Sequence, residues 1–456
     1  MKVFLLTCFA PVLFWSAVSI SFAGWQEHTV CDSFSGAISL KIVDLDKDGD
    51  LDILGAAWNS GLSWWENGGG SFGLHTIDSG FSGAIFVESD DIDGDGDIDV
   101  VASSNGSDSI EWWENNGEEV FSGHLISDSF AGVHSVYPVD VNDDDHIDLA
   151  AVAFDDDLIC LFMNDGSENF TQVVIEDGVD GPWTAFPGDV DDDGDQDLAA
   201  AFRLADEVRW YSNDGTGSFT AHTVDDGFDG AHIVTICDLD LDGDQDLLAT
   251  ARLGDMIAWY ENDGQEDFTR HIIAENYDWP TFVSVADLDC DGDRDIACAA
   301  YNGDDVSWLQ NDGFMGFTMH CVSSGFDGVI PVVTEDLNND GYIDIAAAAY
   351  NLGAVTWWEN TGTSVENPAS TPSFIPTLSI SPNPSCGFFT AEVSLEEPLD
   401  AVLEIFDISG RRVMHLPACS GSGSCTVDAS NLPAGSYAAV LEAGGVRVRM
   451  TISVID

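Results

Sequence analysis

Basic residues are scarce in this chain of 456 residues. Twelve Lys and Arg stand against 83 Asp and Glu, for a formal net charge of −71. A field of this sign repels phosphate backbones and anionic lipid, so we expect no nucleic-acid partner. Hydrophobic residues nevertheless make up 45% of the chain, with 14 Trp and 26 Phe. The composition therefore predicts a folded protein rather than a disordered acidic tail.

After the N-terminal segment, no apolar run reaches the roughly 20 residues that a membrane span requires. Lys2 precedes an apolar stretch over residues 3–20, and residues 21–23 (SFA) form a small-residue exit. This pattern is typical of a secretory signal peptide over residues 1–23, with a permanent membrane anchor as the alternative. We expect an exported protein with no membrane span in its mature form, and a monomer.

Seven Asp-rich decapeptides, here called the Asp loops, recur along the chain. The first two start 47 residues apart and the others follow at intervals of 49 residues. They read DLDKDGDLDI from Asp44, DIDGDGDIDV from Asp91, DVNDDDHIDL from Asp140, DVDDDGDQDL from Asp189, DLDLDGDQDL from Asp238, DLDCDGDRDI from Asp287 and DLNNDGYIDI from Asp336. A period of this length is typical of a propeller, whose units bury their apolar surface against their neighbours. Seven copies predict an all-β, seven-bladed β-propeller.

Each repeat is predicted to form four antiparallel strands. In the fifth, apolar stretches at 231–237 and 247–251 flank the Asp loop, and turns rich in Asn, Asp and Gly lead into 256–260 and 268–273. The seventh repeat lacks a fourth strand, whereas a matching segment, WQEHTV at 25–30, precedes the first repeat. We expect this N-terminal segment to complete blade seven and close the ring.

Aromatic pairs recur on the third strand. Neighbouring strand residues point to opposite faces, so each pair can fill the gaps on both sides of its blade, with sugar stacking as the alternative. The histidines of strand four repeat with the fold and lack metal-site clustering, so we expect them to be structural. The pairs are Trp64-Trp65, Trp112-Trp113, Trp210-Tyr211, Trp259-Tyr260 and Trp357-Trp358, with Leu161-Phe162 and Trp308-Leu309 as weaker versions, and the histidines are His28, His75, His124, His222, His271 and His320.

The Asp loops are candidate metal sites, because positions 1, 3, 5 and 9 are Asp or Asn in all seven copies and position 6 is Gly in six. A hard cation such as Ca²⁺ takes about six to eight oxygens, which these side chains and the backbone carbonyl of position 7 can supply. Without a cation the carboxylates would repel one another, so metal-free turns are the less favoured alternative. Position 12 is not the Glu of an EF-hand. The predicted ligands are Asp44, Asp46, Asp48, Asp50 and Asp52; Asp91, Asp93, Asp95, Asp97 and Asp99; Asp140, Asn142, Asp144, His146 and Asp148; Asp189, Asp191, Asp193, Asp195 and Asp197; Asp238, Asp240, Asp242, Asp244 and Asp246; Asp287, Asp289, Asp291, Asp293 and Asp295; and Asp336, Asn338, Asp340, Tyr342 and Asp344.

The loops and their seven-fold count resemble the FG-GAP/VCBS repeats of integrin-α-like β-propellers. The resemblance covers roughly residues 25–362, within a propeller domain placed at 24–366. It implies a structural Ca²⁺ in each loop, up to seven in all, along one rim. It implies no particular ligand, because such propellers include adhesion receptors, lectin-like binders and some polysaccharide-degrading enzymes.

A second module follows. Residues 367–377 (NPASTPSFIPT) predict a linker, and 378–456 predict a small β-sandwich without Asp loops. SPNPS at 381–385, FDISGRRV at 406–413 and LPAGSY at 432–437 resemble the C-terminal sorting domain of type IX secretion cargo, with an ordinary appendage as the alternative. The resemblance implies a partner in the type IX machinery and a place outside, or on the outer surface of, a Gram-negative cell.

Nine cysteines remain after signal-peptide removal, an odd number for an oxidising compartment. Cys419 and Cys425 bracket the short loop SGSGS and form the predicted disulfide. Pairing of the others does not follow from the sequence.

Two positions in each repeat vary while the scaffold repeats. They lie six residues before the Asp loop and fourteen after its start, which places both at the end of the blade away from the metal, near the mouth of the central channel. Trp, Tyr, His and Arg could bind a sugar or an acidic partner there. Completing hairpins and plugging the channel is the alternative. The candidate ligand-binding residues are Trp58, His134, Trp183, Arg203, His232, Arg252, Tyr301 and Tyr350.

No catalytic motif stands out in the sequence. This holds for HExxH, for GxSxG and for a Gly-rich phosphate loop, and the carboxylates are too numerous to single out an acid/base pair. We therefore expect a secreted or cell-surface, calcium-stabilised binding or adhesion module that recognises a glycan or a surface protein without catalysis. The alternatives are a polysaccharide-degrading enzyme on a propeller scaffold and a structural surface-matrix protein.

Overall fold

The computed structural model describes residues 24–362 and, towards the C-terminus, residues 377–381, 388–394, 401–407, 412–417, 423–428, 432–433, 435–443 and 446–454. Contacts divide the chain into two units, Met1–Ser364 and Val365–Asp456. The predicted signal peptide and nearly all of the predicted linker lie outside the described residues, and so does Cys419 of the predicted Cys419–Cys425 disulfide.

The first unit confirms the seven-bladed propeller. Seven four-stranded antiparallel sheets follow one another along the chain, and the first strands of neighbouring blades contact one another around a central channel. Blades one to three are β2 (Ala37–Val43), β3 (Asp52–Ala57), β4 (Gly61–Asn67) and β5 (Phe72–Asp78); β6 (Ala84–Asp90), β7 (Asp99–Ser104), β8 (Ser109–Asn115) and β9 (Phe121–Ser127); and β10 (Val133–Val139), β11 (Asp148–Ala153), β12 (Leu158–Asn164) and β13 (Phe170–Asp177). Blades four to six are β14 (Pro182–Gly188), β15 (Asp197–Phe202), β16 (Glu207–Asn213) and β17 (Phe219–Asp225); β18 (Ala231–Cys237), β19 (Asp246–Ala251), β20 (Met256–Asn262) and β21 (Phe268–Glu275); and β22 (Pro280–Ala286), β23 (Asp295–Ala300), β24 (Asp305–Asn311) and β25 (Phe317–Ser324).

Blade seven closes the ring with strands from both ends of the propeller. It contains β26 (Val329–Glu335), β27 (Asp344–Ala349) and β28 (Ala354–Asn360), and the N-terminal strand β1 (Trp25–Cys31) forms its outer edge. β1 pairs antiparallel with β28, from Trp25 opposite Asn360 to Cys31 opposite Val355. The predicted closure is confirmed, and β1 covers the edge that β28 would otherwise expose.

An apolar cluster fills each gap between neighbouring blades, and the aromatic pairs supply its largest side chains. Trp64 packs in the cluster between blades one and two, whereas Trp65 packs in the cluster between blades seven and one. Both are 1% exposed. The predicted inter-blade role of these pairs is therefore confirmed, and they leave no face open for a sugar.

The strand-four histidines support these tryptophans. His28 stacks on Trp357 at 4.5 Å between ring centroids, and its Nε2 lies 2.8 Å from a carboxylate oxygen of Glu359. His75 stacks on Trp64 in the same way, but its ligand atoms also lie within 4.8 Å of those of Glu66 and Glu119. The structural role fits the geometry, whereas the expected lack of metal-site clustering does not hold for His75.

An Asn at the end of strand three joins adjacent blades, a role that the sequence analysis missed. Asn213 Nδ2 donates to the Gln196 carbonyl of its own loop at 2.9 Å and to the Val141 carbonyl of the preceding blade's loop at 2.8 Å. Asn67, Asn115, Asn164, Asn262 and Asn360 make the equivalent inter-blade bond. In blade six, Asn311 Nδ2 donates to the Arg294 carbonyl and faces Met315 Sδ instead.

This difference allows a matched test. We expect Asn213→Ala to lower the free energy of unfolding by about 1–3 kcal/mol, because it leaves one buried and one half-buried carbonyl without their donor. Asn311→Ala breaks no inter-blade bond and should cost less. Urea denaturation of both variants in excess calcium measures the difference, and equal losses would show that the inter-blade bond contributes nothing.

The C-terminal unit consists of two antiparallel sheets. One has the order β29-β30-β33, from β29 (Thr377–Ser381), β30 (Phe388–Ser394) and β33 (Gly423–Asp428); the other has the order β32-β31-β34-β35, from β31 (Ala401–Asp407), β32 (Arg412–Pro417), β34 (Gly435–Ala443) and β35 (Val446–Val454). Its β content is as predicted, whereas packing as a sandwich stays a prediction. Within the described part of the whole chain, no helix is long and apolar enough to span a bilayer.

Candidate metal loops and channel mouth

Each Asp loop is a compact turn held by its own carboxylates. In blade four, Asp189 Oδ2 accepts the backbone N–H of Gly194 at 3.0 Å, and Asp191 Oδ1 accepts that of Asp193 at 3.3 Å. Asp193 Oδ1 in turn accepts the N–H of Asp195 at 3.0 Å. One oxygen of each of these three side chains is thus used by the backbone, which leaves the second oxygen available to a cation.

The free oxygens converge. The position-1 Oδ1 atoms of Asp44, Asp91, Asp189 and Asp238 are buried and have no hydrogen-bond donor among the described residues. Ligand atoms of positions 1 and 3, together with position 5 or position 9, lie within 4.8 Å of one another. The groups are Asp44, Asp46 and Asp48; Asp91, Asp93 and Asp99; Asp189, Asp191 and Asp197; and Asp238, Asp240 and Asp246. A buried carboxylate oxygen without a donor needs a positive partner, so these loops fit a hard cation.

Position 9 anchors the loop to the blade. Asp197 is fully buried; its Oδ1 accepts the N–H of Asn213 at 2.7 Å and its Oδ2 that of Val190 at 2.9 Å. Burial raises the pKa of Asp197 to about 6 and the pKa of Asp52 to about 7, with neighbouring loop carboxylates adding to the shift. Loss of hydration thus disfavours the charged form, and a bound cation would restore it. Position 9 has a structural role beside its predicted metal role.

Two loop positions adopt left-handed backbone conformations. Position-6 glycines have φ between 90° and 105°, and a Cβ there would meet no atom within 4 Å, so conformation rather than space selects Gly. Asp145 replaces this Gly in blade three with φ of 65°, as expected. Position 4 is also left-handed, as in Lys47 with φ of 61°, which the sequence analysis missed. The Nζ atom of Lys47 lies 2.9 Å from Oδ1 of Asp97 in the next Asp loop.

At the opposite ends of the first strands, the structure brings the predicted ligand-binding residues together. Trp58 follows β3 and donates its N–H to Gly36, just before β2, so both lie away from the Asp loop. A seven-residue strand separates the two ends by about 20 Å. A cavity of about 360 Å³ opens there. This channel mouth is lined by Ile38, Trp58, Ile85, Phe86, His134, Ser135, Trp183, Thr184, His232, Ile233, Arg252, Trp279, Thr281, Phe282, Tyr301, Ile330 and Tyr350. Of the predicted set, only Arg203 is not part of the lining.

Trp183 lies at the centre of one side of the mouth. Its ring stacks against His134 at 3.7 Å and His232 at 4.7 Å between centroids. Burial, reinforced by the charges of Arg203 and Arg252, lowers the pKa of His134 to about 3. Burial and Arg252 place the pKa of His232 well below its usual range. Both imidazoles are therefore neutral, and they cannot supply positive charge to the cavity.

Arg252 is the cation of the mouth lining, and Arg203 lies beside the mouth against Trp183. The guanidinium of Arg203 lies over Trp183 at 4.7 Å, and that of Arg252 lies over Trp279 at 3.8 Å. Arg252 Nη1 is 3.4 Å from His232 Nε2, which can accept because Nδ1 donates to the Thr281 carbonyl at 3.1 Å. Burial and the charge of Arg203 lower the pKa of Arg252 to about 10. Both residues remain charged at neutral pH.

The comparison with family models decides the family. The description "FG-GAP-like repeat" matches residues 91–151, 189–249, 238–298 and 287–347, and "Secretion system C-terminal sorting domain" matches residues 379–454. This chain is an FG-GAP-repeat propeller with a C-terminal sorting domain. Both predicted resemblances are confirmed, and the sorting domain indicates export to the cell surface or beyond.

The solved structure of BBS1N agrees with the FG-GAP propeller at the level of the fold. BBS1N in complex with ARL6DN, soaked with lead, is 12% identical with a TM-score of 0.50, and the match covers 75% of this chain and 99% of that one. A Lactobacillus plantarum protein has 14% identity, a TM-score of 0.48 and coverage of 63% and 85%. SapL1 lectin in complex with alpha methyl fucoside has 13% identity, a TM-score of 0.43 and coverage of 64% and 97%. No curated protein matches the chain.

Trp279 is the residue of the FG-GAP propeller's mouth that sequence reasoning missed. The position eight residues before the Asp loop is Gly36, Gly83, Gly132, Gly181, Gly230 and Gly328 in the other six blades, all with positive φ. In blade six it is Trp279, with φ of 64°. The signal was available, because one large aromatic replaces Gly in an otherwise uniform series.

Proposed function

We propose that this propeller is a calcium-braced, non-catalytic binding module, exposed outside the cell, that recognises a glycan or a surface protein at its channel mouth. The observation that carries the proposal is the cavity of about 360 Å³, which gathers Trp58, Trp183, Trp279, Tyr301 and Tyr350 at one end of the channel. Concave, aromatic-lined sites of about 300–1,000 Å³ are typical of small-molecule and sugar-unit recognition.

Calcium is the cation that best fits the opposite rim. Positions 1, 3, 5 and 9 of the loops offer side-chain oxygens as ligands, and Ca²⁺ accepts about six to eight oxygens in flexible geometry, whereas Mg²⁺ demands an octahedron. The unpaired position-1 oxygens, the position-3 and position-5 carboxylates and the position-9 Asp would hold the ion. When bound, it would offset the repulsion among these carboxylates and stiffen the rim, which supports a scaffold role.

A binding role is favoured over polysaccharide hydrolysis. The lining residues of the mouth, within the described propeller, include neither Asp nor Glu, although the chain has 83 acidic residues. Glycoside hydrolysis usually requires a pair of carboxylates on either side of the scissile bond.

A glycan array and a panel of extracellular surface proteins, run with the full chain in calcium, test the binding role, and the same polysaccharides assayed for cleavage test the enzyme alternative. For a bound ligand, we expect Trp183→Ala with Arg203→Ala to weaken binding by at least ~2 kcal/mol. A control with Leu74→Ala and Arg270→Ala, both on outer strands, should bind normally. If the mouth variant binds as well as wild type while remaining folded, the site lies elsewhere; polysaccharide cleavage would refute a non-catalytic role.

Export by the type IX pathway of a Gram-negative cell is part of the proposal, supported by the sorting-domain match at 379–454. Intact-mass analysis of protein recovered from the producing cells should find a chain that starts near Gly24 and whose C-terminal domain, from about residue 378, is removed or modified. Recovery of the unmodified full chain, from Met1 to Asp456, would contradict it.

A further inference from the structure

The half-buried Arg203 and Arg252 lack the carboxylate partner that four other cations of this propeller have, namely Lys41, Lys47, Arg209 and Arg270. Arg294 also has no such partner among the described residues, but its side chain is exposed in the Asp loop. Lys41 lies 2.7 Å from Glu88, and Arg270 lies 2.7 Å from Asp225. Among the described residues, neither Arg203 nor Arg252 has a carboxylate within ion-pair distance, although acidic residues outnumber basic ones 83 to 12. Two unpaired cations on neighbouring blades of so acidic a protein suggest that an anion is supplied from outside.

Both guanidinium groups are partly removed from water, so the lack of an anionic partner costs more free energy than it would on the surface. The Nε atoms of Arg203 and Arg252 are buried and have no acceptor. A buried donor without an acceptor, beside a second cation, is unfavourable unless a ligand compensates for the charge. The faces of Trp183 and Trp279 offset part of this cost through cation–π contacts and hold both guanidinium groups in place.

Trp279 adds an independent observation. A bulky side chain at φ of 64° is strained, and the corresponding position is Gly in every other blade. The strained loop holds the Trp279 ring against Arg252 at 3.8 Å and edge-on to Tyr301 at 5.2 Å. Strain of this kind persists where it serves a site. Here it positions a guanidinium at the cavity wall.

The cavity is polarised around the ring of blades. Arg203 and Arg252 come from blades four and five, whereas Tyr301, Tyr350 and Trp58 come from blades six, seven and one. Trp58 and Tyr350 have no ring contact within the described part of the chain and line the cavity. One side thus offers charge-assisted donors and the other offers aromatic faces. A ligand that satisfies both sides has an oxyanion attached to a ring with apolar faces.

We propose that the channel mouth binds an acidic saccharide, whose carboxylate or sulfate is received by Arg252 with Arg203 beside it, while the sugar ring lies against the aromatic side. This inference rests on the proposed binding function and narrows it to an anionic ligand. Guanidinium groups pair bidentately with both kinds of oxyanion, and pyranose rings stack on Trp and Tyr.

Isothermal titration of the full chain with trigalacturonate and with its methyl ester tests the anion requirement. The two probes share one saccharide backbone, and the ester replaces each negative carboxylate with a neutral methyl carboxylate. We expect the acid to bind at least about tenfold more tightly than the ester. Arg252→Gln should bring the two affinities together, because Arg252 is the only guanidinium in the described lining of the cavity and Arg203 lies outside it. Arg270→Gln removes the same charge from an outer strand and should leave the acid preference unchanged. A sulfated galactose trisaccharide forms the second arm and distinguishes sulfate from carboxylate.

The outcomes separate this inference from the binding function itself. An acid preference, for carboxylate or for sulfate, that Arg252→Gln abolishes supports the proposal. Equal affinity for acid and ester, or tight binding of a neutral glycan that is lost in Trp58→Ala, would leave a binding mouth but overturn the anionic ligand. Failure of every acidic probe to bind also overturns it. Melting temperatures of all variants show whether they are folded.

Discussion

Removal of calcium should lower the melting temperature of the propeller by more than about 10 °C. Each ion held at about a thousand times its dissociation constant stabilises the native state by about 4 kcal/mol, and several loops act together. Chelation also leaves the unpaired position-1 oxygens next to neighbouring carboxylates. Calorimetry after overnight dialysis into EDTA, with calcium then restored, measures the effect. Magnesium should restore less of it, because Mg²⁺ requires a stricter geometry.

Blade three offers an internal control for this effect. Asp145 occupies the left-handed position that is Gly in the other six loops, and Asn142 replaces a carboxylate at position 3. We therefore expect this loop to be the weakest calcium site, and Asp145→Gly to strengthen calcium binding there and raise the melting temperature only when calcium is present. An equal rise in melting temperature in EDTA would show that Asp145→Gly acts through the backbone conformation and not through calcium. A melting curve of the wild-type chain that EDTA leaves unchanged would contradict a structural metal.

Asp197→Ala should cost at least ~3 kcal/mol of unfolding free energy, because it strips the acceptor from two buried backbone N–H groups, those of Asn213 and Val190. The loss should persist in EDTA, because these bonds do not involve metal. Asp197→Asn keeps one acceptor oxygen and should cost less.

The matched variant for this test is Asp191→Ala at position 3, whose described bond is to the exposed turn residue Asp193. Its cost should largely disappear in EDTA. Asp226→Ala, on an exposed turn, should be neutral throughout. If Asp197→Ala and Asp191→Ala respond to EDTA in the same way, position 9 has no role apart from the metal.

The sequence predicts the blades well because hydrophobic period and turn residues agree there. The expected segment 231–237 coincides with β18, and the Asp loop sets the start of β19 at Asp246. The predicted third strand ends at 260, but β20 pairs with β21 as far as Asn262 opposite Phe268, and the Asn262 N–H also bonds to Asp246. That long-range bond has no local signature in apolar patterning.

The sequence predicted many of the residues that line the channel mouth, but not the contacts that these residues make with one another. Position in the repeat was enough to select Trp183 and Arg252, because an antiparallel blade carries equivalent positions to the same end. The contacts among them depend on how seven blades converge, and no single repeat encodes that. Trp279 was not predicted because it lies at neither of the two variable positions. It occupies a third position, which is Gly in the other six blades.

The number of calcium ions bound per chain is the most direct test of the proposal that metal braces the propeller. After equilibrium dialysis of the full chain against buffered calcium, metal analysis by mass spectrometry gives ions bound per chain. We expect six to seven calcium ions per chain. The ion of blade three should be released first as free calcium is lowered, and the Asp145→Gly variant should retain it. Fewer than one ion per chain at millimolar free calcium would contradict a metal-braced propeller.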